Sequence, residues 1–177
     1  MPTPHEITAT APVWASDSQY YLYGTEFDPT GFTYTNFNGL LAPLRPGTGI
    51  DVPGTFAVIL TGLETGYVTV TLELHSASPQ APALDDWDEV VEASLEIPDG
   101  DAYVIDAHDQ TPFPSLSAYT GRSARIRVHA RGRDAARQAL EPDDEHPLEQ
   151  HLIQLWPAPV SEPVTHKLSD TTGTFYR

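Results

Sequence analysis

Three segments of the chain alternate apolar and polar residues with a period of two, the spacing of a strand that buries one face. In 67–74 the apolar side is Val68, Val70, Leu72 and Leu74, opposite Tyr67, Thr69, Thr71 and Glu73. In 89–97 Val91, Ala93, Leu95 and Ile97 face one way, and Val90, Glu92, Ser94 and Glu96 the other. In 122–131 the inner set is Ala124, Ile126, Val128 and Ala130, and the outer set Arg125, Arg127, His129 and Arg131. A helical period would scatter each set around a cylinder, so all three are read as strands.

Shorter apolar runs add strands at 19–23, at 56–60 after Pro53-Gly54, and at 102–105 after the turn cluster Pro98-Asp99-Gly100-Asp101. The run 151–156 is apolar on both sides and closed by Pro157, which suits a central strand. One helix is expected at 133–140, with Asp134 in its first turn, alanines at 135, 136 and 139, and Pro142 as its stop. The stretch 27–48, rich in Gly, Thr, Asn and Pro, reads as a long loop with room for one irregular strand. Many strands and one helix predict an all-β chain: a two-sheet antiparallel β-sandwich with one short helix in a late insertion. A single domain over 1–177 is expected, with the Pro-rich segments 1–17 and 157–177 as arms over the body.

At 177 residues the chain is long enough for one cored domain. It has no cysteine, hence no disulfide framework and no thiolate metal site. No stretch approaches the roughly 18 apolar residues of a membrane span. The start shows no basic region followed by an apolar run, so a cytoplasmic protein is expected. Eight Arg against one Lys suits a GC-rich bacterial genome.

Charge falls in blocks. Residues 1–121 carry seventeen acids and only Arg45 as a base, 122–137 carry six arginines and one acid, and the rest is acidic again, for a net charge of −16. This balance argues against a nucleic-acid binder, which needs clustered Lys and Arg. If 89–97 and 122–131 are neighbours in one sheet, Glu92 and Glu96 can meet Arg125 and Arg127 as exposed cross-strand pairs, each contributing about 0.2–1 kcal/mol.

Motifs of catalysis and cofactor binding are missing: no Gly-rich phosphate loop, no His-Glu-x-x-His, no EF-hand loop and no Gly-x-Ser-x-Gly elbow. No cofactor is therefore expected. Asp106, His108 and Asp109 share a loop in which Asp106-Ala107-His108 could offer two ligands to a divalent ion, as could Asp143-Asp144-Glu145-His146, but each supplies only part of a coordination shell. The most informative segment is Asp85-Asp86-Trp87-Asp88-Glu89, a tryptophan among four acids just before a strand. Trp87 either folds back as core or is an aromatic anchor ringed by negative charge where a basic partner docks. Trp14 and Trp156 read as structural, whereas Tyr20, Tyr21 and Tyr23 suit either a sheet surface or a sugar-stacking platform.

The order of these strands has a counterpart. An aromatic strand (Gln19-Tyr20-Tyr21-Leu22-Tyr23) is followed by 56–60, and then by 90–97 feeding Pro98-Asp99-Gly100. Next come Ala124-Arg125-Ile126-Arg127-Val128 and the closing His151-Leu152-Ile153-Gln154-Leu155-Trp156. Over roughly 56–156 this resembles the competence protein J family, small acidic inhibitors of a DNA-entry nuclease. The resemblance implies an intracellular β protein that binds a nuclease and blocks it, with no catalytic residues to transfer. The chain departs from the family in its longer arms and in the 132–150 insertion.

The leading expectation is a non-enzymatic binding protein, an inhibitor or immunity-type partner of a basic protein. Asp85, Asp86, Trp87, Asp88, Asp143, Asp144 and Glu145 are its candidate contacts. The alternatives are a carbohydrate- or small-molecule-binding sandwich using Tyr20–Tyr23, Phe32, Tyr34, Asn36 and Asn38, and a metal-dependent hydrolase built from Asp106, His108 and 143–146.

Overall fold

Among the described residues, eleven strands form two facing sheets, accompanied by one short α-helix. The computed structural model describes residues 7–24, 38–45, 49–50, 54–97, 102–106, 108 and 113–177. The strands are β1 (Ile7–Ala15), β2 (Gln19–Gly24), β3 (Leu41–Arg45), β4 (Gly49–Ile50), β5 (Phe56–Leu60) and β6 (Gly66–Leu74). They continue with β7 (Glu89–Ile97), β8 (Ala102–Ile105), β9 (Arg122–Arg131), β10 (Gln150–Pro157) and β11 (Val164–Leu168), with helix α1 at Arg133–Gln138. The larger sheet runs β1-β6-β10-β9-β7-β11 and the smaller β4-β3-β5-β2-β8. Their inward rows, among them Val70, Leu72, Val91, Leu95, Ile126, Val128 and Ile153 against Tyr20, Leu22, Leu41 and Ile59, form one buried apolar cluster.

The two-sheet, strand-dominated reading therefore holds. Among the described strands, every pair is antiparallel except β10 with β6, which run parallel. The period-two segments match β6, β7 and β9 almost to the residue, and 151–156 is the core of the central strand β10. Helix α1 stops at Gln138, because Ala139 already has extended backbone. The segments expected as arms contribute the two edge strands: β1 pairs with β6 over nine residues, and β11 pairs with β7. The stretch 27–48 contains β3, whose Leu41, Ala42, Pro43 and Leu44 are buried. The turn cluster 98–101 lies outside the described residues.

The chain passes from the larger sheet to the smaller through a two-residue turn, Asp17-Ser18, with φ of 53° and 60°. Both residues are left-handed, as a hairpin turn that matches strand twist requires, and neither is glycine.

The strand order dictates what lies outside the larger sheet. Because β10 and β9 separate β6 from β7, the connection 75–88 must cross them; likewise 158–163 must cross β9 and β7 to reach β11. The outer arginines of β9 hold both crossings. Arg127 Nη1 donates to the Gln80 carbonyl (2.9 Å), and Arg125 donates to the carbonyls of Ser161 (2.9 Å) and Glu162 (2.7 Å). Glu92 joins the two guanidiniums, taking Arg125 Nε at 2.7 Å and Arg127 Nε at 3.0 Å. The expected exposed pairs are thus a buried junction. Arg127 is directly opposite Glu92 and Arg125 is one step diagonal to it, whereas Glu96 lies opposite Ser123.

Candidate functional site

The outer face of β6, β10 and β9 is a ladder of three rows fixed by register: Thr69-Gln150-Arg131, Thr71-Leu152-His129 and Glu73-Gln154-Arg127. The crossing segment 75–88 lies over part of this ladder and leaves a groove of ≈ 400 Å³ beside it. Pro79, Gln80 and Pro82 form one wall; His75, His129, Leu152 and Gln154 form the floor. A second hollow of ≈ 230 Å³, over Thr69, Thr71, Glu73 and Arg131, shares Trp87 and Leu152 with the first.

Trp87 thus divides the groove. Its indole lies against His129, ring centroids 5.3 Å apart, with the Arg131 guanidinium 5.0 Å from its centroid. The ring packs on the sheet, yet stays half-buried and lines both hollows. Asp85 and Asp86 beside it are exposed, in a single turn of 3-10 helix (Leu84–Asp86). Asp88 is half-buried and accepts the Gly132 N–H at 3.0 Å, so part of its charge is committed to the fold.

The floor is electrostatically tuned. His129 donates Nδ1–H to the Leu152 carbonyl (3.2 Å), and burial drives its pKa down to about 4 against that bond, so the ring is neutral at pH 7. Gln154 is fixed at both ends, its Oε1 accepting from Arg127 and its Nε2 donating to Glu73. Glu73 also holds His75 at 3.0 Å. Glu92 lies below the ordinary carboxylate range: burial pushes it up, but bonds from Arg125, His166 and Arg127 outweigh that. Arg127 is thus paired with Glu92, whereas the exposed Arg131 donates, among the described residues, only to the neutral oxygens of Gln150 and the Asp86 backbone.

The second acidic segment borders the same face. Asp143 lies beside Tyr67, the outward residue of β6 that precedes Thr69 and Thr71, and Trp87 stands over those two. Four residue steps along the strand separate Tyr67 from Thr71, about 13 Å. No hydrogen bond or ion pair joins the two acidic segments. Asp143 caps its own turn, accepting from the backbone of Glu145 and His146 at 3.0 Å each, and those bonds lower its pKa. Asp144 and Glu145 are exposed, as is Leu140 ahead of them.

Other candidate residues serve the fold. Tyr20 is wholly buried, its hydroxyl 2.9 Å from His151 Nδ1, so it offers no face to a sugar; Tyr21 points outward and accepts a bond from Gln19. Asn38 caps the backbone of Leu40 and Leu41. The Tyr23 side chain, Phe32, Tyr34 and Asn36 lie outside the described residues. Asp106 is buried and accepts the His108 N–H at 2.8 Å, while the His108 ring stacks on Trp14. Asp109 lies outside the described residues, and among those described no three His, Asp or Glu side chains converge as a metal site. Trp14 packs edge-on against Tyr67, and Trp156 is buried under the Arg127 guanidinium. Sequence reasoning missed His75, His129 and Gln154. Only the β6-to-β7 crossover brings them under one strap, although the outward rows of β9 and β10 were legible.

Among solved structures, the chain is similar to ComJ from Bacillus subtilis, the inhibitor of the DNA degrading activity of NucA. The TM-score is 0.56 at 9% identity, covering 88% of this chain and 99% of that one. It is also similar to the structure of crocagin biosynthetic gene J, with a TM-score of 0.46 and 15% identity over 88% of this chain and 99% of the other. Comparison with protein-family models and with curated protein sequences finds no match. The resemblance to competence protein J thus holds as one of fold. No helix among the described residues is long and apolar enough to cross a membrane.

Proposed function

We propose that this chain is a non-enzymatic inhibitor that binds a basic protein, with a DNA-degrading nuclease as the favoured class of partner, through the outer face of its larger sheet. The observation that carries the reading is the half-buried Trp87, which lines a hollow with Thr69 and Thr71 of β6 next to the exposed Asp85 and Asp86, while Asp143 lines another hollow with Tyr67 of the same strand. An aromatic anchor among carboxylates gives such a surface its two requirements. The indole supplies desolvated contact, and the charges steer a cationic partner over roughly 8–10 Å at physiological salt. The likeness of fold to a nuclease inhibitor supports the same reading. The span between the segments fits within a standard interface of about 800 Å² per partner. The reading places the encounter in the bacterial cytoplasm, with neither nucleic acid nor membrane as the direct partner.

The test is a DNA-degradation assay. Purified chain is titrated into basic nucleases from its own organism, at low and at high ionic strength. Inhibition that weakens with salt, and that is lost when Trp87→Ala is combined with Asp85→Asn and Asp86→Asn, is the expected result. Absence of both inhibition and complex formation with every such nuclease overturns the proposal.

A further inference from the structure

Glu89 continues the inward row of β7 beyond Val91, and the end of the sandwich there is closed by residues 169–177. The backbone N–H groups of Ser169 (2.9 Å) and Asp170 (3.0 Å) and Arg177 Nη2 (2.6 Å) all donate to one oxygen of Glu89, Oε1. Arg177 also donates Nε–H to the Asn38 carbonyl, and Gly173 donates to Asp170 Oδ1. Asp134 of α1 accepts from the backbone of Thr171 and Thr172, and the fully buried Arg133 pairs with Asp170 Oδ2 at 3.3 Å. Gly173 meets the backbone of Gly39 so closely that a Cβ on Gly39 would collide with it.

This closure leaves an imbalance. Glu89 Oε2 and Asp170 Oδ2 are both buried without a hydrogen-bond partner, and so are Arg133 Nε and Nη1, although Nη1 stays in ionic contact with Asp170. Arg177 Nη2 reaches both carboxyl groups, 2.6 Å from Glu89 Oε1 and 3.7 Å from Asp170 Oδ1. A proton on Glu89 leaves one buried carboxylate in this closure instead of two. Without it, the closure holds two buried carboxylates, and Glu89 Oε2 carries its desolvation penalty with no donor.

We propose that Glu89 holds a proton beside the Asp170 carboxyl group, and that this proton latches the C-terminal segment 169–177 over the end of the sandwich. The charged groups around the pair are Arg177 of the segment itself, Arg133 and Asp134 of α1, and Asp88, whose Oδ2 is committed to Gly132. Lys167 of β11 and Arg131 of β9 are turned elsewhere, to the Leu84 carbonyl and to Gln150. Burial first, and the charge of Asp170 second, raise Glu89 to about 7. A carboxyl raised in the folded state stabilises at low pH, and that contribution is lost as pH rises through about 7. The latch is closed in mild acid and loosens above neutrality. Loosening frees Tyr176, which packs on the apolar cluster Ala42, Leu44, Phe56, Val58 and Leu60 outside the smaller sheet.

The experiment is amide hydrogen exchange by NMR on the full chain at pH 5.5 and 8.5, corrected for intrinsic rates. Protection at Gly173 and Tyr176 is expected to fall by about tenfold or more between the two, with Val91 and Val128 unchanged, and Glu89→Gln is expected to abolish the difference. Equal protection at both pH values in the native chain overturns the latch, as does a pH dependence that persists in Glu89→Gln. Should that variant fail to fold, carboxyl-carbon titration of the native chain decides. A Glu89 midpoint near 7 supports the latch, and one in the ordinary carboxylate range refutes it.

Discussion

Tyr20 and His151 join the two sheets through the middle of the core: the Tyr20 hydroxyl, on the smaller sheet, lies 2.9 Å from His151 Nδ1 on the larger. His151 Nε2 is 2.8 Å from Glu149, whose carboxylate also accepts the N–H groups of Gly62 and Leu63. With an acceptor at Nε2, that nitrogen carries the proton and Nδ1 accepts from Tyr20. The row resembles a catalytic relay in its chemistry, yet all three side chains are buried. Its work is to fix how the sheets sit on one another.

Replacing Tyr20 by Phe is therefore expected to destabilise the fold by about 1–3 kcal/mol, because His151 Nδ1 is left buried without a donor. Urea unfolding monitored by tryptophan fluorescence measures this, and an unchanged midpoint would show that the bond contributes nothing.

Removing Glu92 should cost more. Glu92→Ala strands two buried guanidiniums, and the expected loss is about 3–5 kcal/mol. The pH dependence has a definite sign. The Glu92 carboxyl is held below its unfolded value, so its contribution is present above that value and disappears as pH falls through the depressed one. Unfolding midpoints taken from neutral to strongly acid pH should fall in the native chain, with the Glu92 share of that fall missing in Glu92→Ala.

His129 gives a second pH signature in a different window. Its pKa of about 4 lies below the unfolded value near 6.5, so the unfolded chain gains a proton first and stability declines as pH drops from about 6.5 to about 4. Ring-nitrogen NMR at pH 5.5 should show His129 neutral, with the proton on Nδ1. A charged ring at that pH contradicts the buried floor described for the groove.

Neutralising the exposed loop with Asp143→Asn, Asp144→Asn and Glu145→Gln is expected to leave thermal stability within about 0.5 kcal/mol of the native chain. The same change should slow association with a basic partner and flatten its salt dependence. Stopped-flow binding at two ionic strengths checks both statements.

How much of this was legible depended on how strongly each segment declared its period. β6, β7 and β9 put large aliphatic residues at alternate positions, and their boundaries could be read directly. β1 uses Ala9, Ala11 and Ala15 on its inner side, too small to stand out among threonines, and it carries Pro12 on an open edge. β3 was obscured by Pro43, and β11 is short, largely exposed and preceded by prolines. At the site, composition singled out Trp87 and the two acidic segments. The groove arises from strand order, which local sequence does not encode. The same cause explains the arginines: their partner Glu92 was anticipated, but their burial depends on two crossings that only the topology creates.

The parallel pairing of β6 with β10 carries a consequence for how the molecule is made. On a nascent chain emerging from the ribosome, β1 with β6 and β7 with β9 can each assemble early, but they stay separate ribbons until the strand that divides them is synthesised more than fifty residues after β7. Until then each ribbon exposes an open border to its surroundings. The interval between translating β9 and β10 is thus the period of greatest risk of mispairing, and a chaperone that shields those borders would act there.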